Sequence, residues 1–63
     1  MNTQQTAITR VNIYRDGATW CYSAWVGRDH DHNDTVEADC EDLAREEVAA
    51  RFPAAEIRRV ADL

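Results

Sequence analysis

Asp16-Gly17 stands between two runs of alternating residues, and that dipeptide is the strongest short hairpin signal a sequence can carry. Ala7–Arg15 alternates Thr9, Val11 and Ile13 with Arg10, Asn12 and Tyr14, and Thr19–Gly27 is the returning strand. With Asp16 and Gly17 as the two turn residues, Arg15 pairs with Ala18, Ile13 faces Trp20, Val11 faces Tyr22 and Thr9 faces Ala24. This register gathers Val11, Ile13, Trp20, Tyr22, Ala24 and Val26 on one apolar face. Ile8, Tyr14 and Trp25 fall on the other.

The next signal is helical. From Cys40 to Phe52 the residues Cys40, Leu43, Ala44, Val48 and Phe52 share one face at 100° per residue. Asp39 suits the N-cap, Asp42 suits the first turn, and Pro53 ends the helix. Asp39, Asp42 and Glu46 then lie on the opposite, solvent-facing side. Glu56–Val60 reads as a short third strand with Ile57 toward the core. A helix joining strands two and three favours a crossover of parallel sense, so strand three runs antiparallel to strand one. The expected fold is α+β: ββαβ, a three-stranded antiparallel sheet of order 2-1-3 with one helix packed on one face. Its 63 residues make a single domain, with residues 1–6 as a flexible tail. A chain this short buries only about 60% of its unfolded surface. One helix covers one sheet face, so the face with Tyr14 and Trp25 is left open.

Charge is segregated along the chain. Between Asp29 and Glu47 stand nine carboxylates and one base, Arg45, a net of −8 in a chain whose total is −5. The flanking segments are mildly basic, and every base is arginine. A concentrated negative field repels nucleic acid and attracts basic surfaces. No apolar run approaches the roughly 18 residues of a membrane span, and the polar start, Met1–Thr6, lacks a signal-peptide core. The expectation is a cytoplasmic protein with reduced thiols.

Candidate chemistry is sparse. Arg28–Asn33 reads as a polar loop in which Asp29, Asp31 and Asn33 match positions 1, 3 and 5 of an EF-hand. The match then breaks, with Asp34 where glycine belongs and Cys40 where the bidentate glutamate belongs. His30 and His32 could chelate zinc with Cys21 or Cys40, yet no four-ligand set has familiar spacing. No metal site or cofactor is assigned. Cys40 reads as a small core residue and Cys21 as an open-face one, so no bridge is expected. No nucleophile–base arrangement appears, and the chain reads as a non-enzyme.

Surface charge for solubility accounts for an acidic protein, but even spacing would serve solubility as well as clustering does. Carboxylates projecting from one ridge and the adjoining loop can copy the spacing of backbone phosphates, and a groove built for DNA would accept them. The length, the hairpin around Asp16-Gly17, the stretch DHDHNDTVEADCEDLAREE and the ending ARFPAAEIRRV together resemble small acidic phage-encoded inhibitors of CRISPR surveillance complexes. That resemblance implies a stoichiometric, DNA-mimicking inhibitor acting in the host bacterial cytoplasm on a basic DNA-binding subunit. It carries over no catalytic residue. From the charge pattern the contacts are Asp29, Asp31, Asp34, Glu37, Asp39, Asp42 and Glu46, with Tyr14 and Trp25 as a second, apolar surface. No direct nucleic-acid or membrane contact is expected, and the chain is a monomer or a homodimer. Two other readings stand beside this one: a homodimeric regulatory or structural module pairing open sheet faces, and a loop metal-binding protein.

Overall fold

A computed structural model describes residues 7–63; the tail expected at residues 1–6 lies outside them. The chain forms strand β1 (Arg10–Asp16), strand β2 (Thr19–Val26), strand β3 (Asp29–Val36), helix α1 (Glu41–Arg51) and strand β4 (Glu56–Arg59). They build an α+β fold with one helix and a four-stranded mixed sheet of order β3-β2-β1-β4.

The first hairpin forms two residues out of the expected register. Asp16 pairs with Thr19, Ile13 with Tyr22 and Val11 with Ala24. The loop is Gly17-Ala18, because only Gly17 takes the left-handed conformation, at φ 65°. Glycine at the first loop position, followed by a residue of negative φ, is the sign pattern of a type II′ turn. A shift of two preserves the alternation, so every side chain keeps its predicted face. Val11, Ile13, Trp20, Tyr22 and Ala24 are all buried.

The expected loop at Arg28–Asn33 is instead a turn and a strand. Gly27-Arg28 repeats the first turn, with Gly27 at φ 61°. β3 then pairs antiparallel with β2 along its length, Trp20 opposite Val36 and Val26 opposite Asp29. Its sequence, DHDHNDTV, has almost no strand propensity, and its place at the sheet edge explains how it is tolerated. Val36 is its one buried residue.

This additional strand reverses the last one. β4 lies beside β1, as the order 2-1-3 anticipated, but runs parallel to it, Val11 opposite Ile57. The crossover leaves from β3, which already points along β1, so the parallel sense that the crossover rule gives now matches β1.

α1 lies across the face holding Val11, Ile13, Trp20 and Tyr22. Its buried stripe is narrower than the periodicity suggests. Ala44 and Val48 are fully buried and Phe52 packs against the core, while Leu43 is 47% exposed and Cys40 is exposed too. Cys40 is the N-cap residue, without a side-chain capping bond, so Asp39 lies one position outside the expected cap. Beyond Phe52, whose N–H donates to the Val48 carbonyl, Pro53 prevents continuation. Each buried valine removes apolar area worth about 1.5–3 kcal/mol.

Candidate functional site

All seven acidic residues assigned from charge are exposed. Asp29, Asp31 and Asp34 lie on β3, Glu37 and Asp39 on the connection that follows, and Asp42 and Glu46 on α1. The belt therefore runs along the sheet edge and onto the helix.

The ion pairs avoid most of it. Arg45 and Arg59 both reach Glu41, at 3.2 and 3.1 Å, and Arg51 reaches Glu47 at 3.4 Å. Arg58 pairs with Glu56 at 2.8 Å, while Arg15 and Arg59 pair with Asp62. Bonds from Arg45, and next from Arg59, hold the Glu41 carboxyl below the usual carboxylate range. Arg58 lowers Glu56 in the same way, and Arg59 followed by the Arg15 N–H lowers Asp62. Of the belt, only Glu41 and Glu47 meet an arginine. Asp31 instead contacts His32 Nδ1 at 2.6 Å. Asp29, Asp34, Glu37, Asp39, Asp42 and Glu46 have no basic partner among the described residues.

The surface between these carboxylates is not flat. A shallow hollow of about 450 Å³ is lined by Glu37, Ala38, Asp39 and Leu43. A second, of about 390 Å³, lies along Asp42, Arg45, Glu46 and Ala49. Leu43 thus sets an apolar side chain among charges, a feature concealed by its core-like helical spacing.

The structure does not join Tyr14 and Trp25 to this belt. β1 and β2 turn them to the open sheet face, where the β3 neighbours are His30, Asn33 and Thr35, none of them acidic. Trp25 is half-buried there. Its ring is covered by the Arg10 guanidinium at 5.1 Å, its Nε1–H donates to Ser23 Oγ at 3.2 Å, and His30 stacks edge-on at 5.1 Å. Tyr14 and Trp25 line a hollow of about 410 Å³ rimmed by the C-terminal Leu63. Burial raises the pKa of Tyr14, as it does that of Cys21 on the same face. Cys21 and Cys40 are both free.

His30 and His32 do not converge. Residues two apart on a regular strand share a face, but β3 bulges at Asp31, opposite the Ala24–Trp25 step. His30 therefore turns to the open face and contacts Asn33 Oδ1 at 2.6 Å. His32 turns to the helix side, where Nε2 meets Tyr22 Oη at 3.2 Å. The loop that an EF-hand-like site needs is a strand here. Among the described residues no group of three or more His, Cys, Asp or Glu is placed to hold a metal ion. No described helix is long and apolar enough to cross a membrane.

Comparison of the chain with protein-family models, with curated proteins and with solved structures finds no match.

Proposed function

We propose that the protein is a protein-binding inhibitor whose acidic surface occupies the basic DNA-binding site of a nucleic-acid-binding complex. A CRISPR surveillance complex is the target that the sequence resemblance suggests. One observation carries this reading: six exposed carboxylates of one belt, Asp29, Asp34, Glu37, Asp39, Asp42 and Glu46, stand without arginine partners, while Glu41, Glu47, Glu56 and Asp62 are paired with arginine within the molecule. Charges held back from internal pairing remain available to a positively charged groove. The chain needs no catalytic group to act in this way, only a rigid scaffold that fixes the spacing of its charges.

Charge reversal tests the reading. Replacing Asp39, Asp42 and Glu46 by lysine moves the net charge from −5 to +1 without touching the core. The triple variant is expected to keep its circular dichroism, with a urea midpoint only slightly lowered because Asp42→Lys opposes the helix dipole in the first turn. It is also expected to lose competition with duplex DNA for a purified CRISPR surveillance complex, and the parent's competition should weaken steeply with added salt. Competition retained by a folded triple variant would eliminate the acidic surface as the binding element.

A further inference from the structure

We propose that the outer edge of β3 is a strand-addition site, where a partner's extended segment with a basic residue opposite Asp34 pairs with His32–Val36 as a fifth strand. This rests on the acidic docking surface described above and specifies the shape of partner that fits it.

The backbone supplies the geometry. The N–H groups of Val60 and Leu63 take the carbonyls of Ile13 and Arg15, so the odd residues of β1 address the β4 side and the even ones address β2. Carried across by strand alternation, Trp20, Tyr22 and Ala24 of β2 turn to β3, and Val36, Asp34 and His32 turn back to meet them. Asn33 and Thr35 therefore direct their N–H and C=O groups away from the sheet. The contacts agree with this phase, because the Thr35 N–H donates to the Asp34 carboxylate at 2.8 Å. Asp34 stands where a neighbouring strand's carbonyl would be. A docking strand would take over the Thr35 N–H and release the Asp34 carboxylate to a basic side chain. Asp34 lies on the helix side of β3, and the side chains of Asn33 and Thr35 lie on the open side. The matching strand thus carries a cation opposite Asp34 on one side and small polar or β-branched residues on the other. The bulge at Asp31 confines regular pairing to His32–Val36, roughly 17 Å of backbone.

A second copy of this chain is the wrong occupant. Pairing β3 with β3 brings aspartates together, and like charges across a ladder are destabilising. The oppositely charged edge, β4, is only four residues long, and its Arg58 and Arg59 are already engaged by Glu56, Glu41 and Asp62.

The probe is a capped peptide of about nine alternating threonine and arginine residues, long enough to span the edge. It is compared with two twins of equal charge that are N-methylated at alternate amides, one in the phase that faces the edge, which cannot complete a ladder, and one in the phase that points away, which can. Amide exchange is followed by heteronuclear NMR. At saturation the parent peptide is expected to slow exchange at Asn33 and Thr35 by about tenfold or more. The twin methylated in the pairing phase is expected to bind about tenfold more weakly. Equal binding by all peptides without protection at Asn33 and Thr35 overturns strand addition and leaves charge docking standing. Failure of every peptide to bind removes both strand addition and the acidic docking beneath it. Protection of these amides that rises with protein concentration alone makes a second copy the occupant and overturns the proposal.

Discussion

β3 and β4 bound the same sheet, and they differ in length, in charge and in what holds that charge. β3 has eight residues and carries Asp29, Asp31 and Asp34; β4 has four and carries Arg58 and Arg59. Every basic group on β4 is bound within the molecule. Beyond its end the chain stays beside β1, with the N–H groups of Val60 and Leu63 on the carbonyls of Ile13 and Arg15, each at 3.0 Å. Asp29 and Asp34 on β3 meet no arginine. Two free edges of opposite charge would join head to tail and grow without closing. Internal quenching of β4 removes that route. It leaves one edge whose charge faces outward and repels its own copies.

The largest way to break this asymmetry is to detach β3. Val36 is the only buried residue of that strand and packs in the core cluster with Trp20. Val36→Asp loses about 1.5–3 kcal/mol of apolar burial and adds the cost of a charge with no buried partner. In so small a domain the variant is expected to be unfolded without denaturant, as read by circular dichroism and a urea titration. Ile57→Asp on β4 should cost less, because Ile57 is only half-buried. The reverse order would make β4 the more tightly held edge.

A smaller effect follows from leaving β3 in place and removing its charge. Asp29→Thr with Asp34→Thr takes the net charge from −5 to −3 and gives the edge a strand-forming sequence. The double variant is expected to self-associate, with a sedimentation coefficient that rises with concentration more steeply than the parent's. If the two proteins sediment alike at every concentration, the aspartates do not guard this edge, and the bulge at Asp31 alone is enough.

The same contrast separates what could be read in the sequence from what could not. Val11, Ile13, Trp20, Tyr22 and Ala24 were legible as core because alternation fixes faces, and it survives a register slip of two. Asp39, Asp42 and Glu46 were legible as exposed from helical spacing. β3 was not legible, because Asp, His and Asn are poor strand formers and its apolar content is one valine at the end. The available signal was Gly27, which repeats the role of Gly17 immediately after a strand. Missing β3 also reversed the expected direction of β4, since one hairpin more or less inverts every strand that follows. Leu43 misled in the other direction: its spacing matches the core stripe, but Ala44 and Val48 alone fill the contact. No periodicity rule shows which of several apolar residues a small sheet has room to cover.

The smallest expected effect concerns how β4 is closed. Glu41, Glu56 and Asp62 all have carboxyl pKa values lowered by arginine contacts. A group whose folded pKa lies below its unfolded value stabilises the fold above the unfolded pKa. That stabilisation is lost as pH falls through the folded pKa. The loss therefore begins in the ordinary carboxylate range, near about 4, and is complete only below it. Every one of these pairs faces solvent, so the effect is modest and weakens with salt. It should appear locally, as faster amide exchange at Val60 and Leu63 relative to the intrinsic rate when pH drops from about 5 to about 3. Arg59→Gln should flatten that response, because Arg59 engages both Glu41 and Asp62. If protection at Val60 and Leu63 persists unchanged through acid in the parent, their backbone bonds alone close this edge. The arginines would then serve to neutralise it and not to hold it.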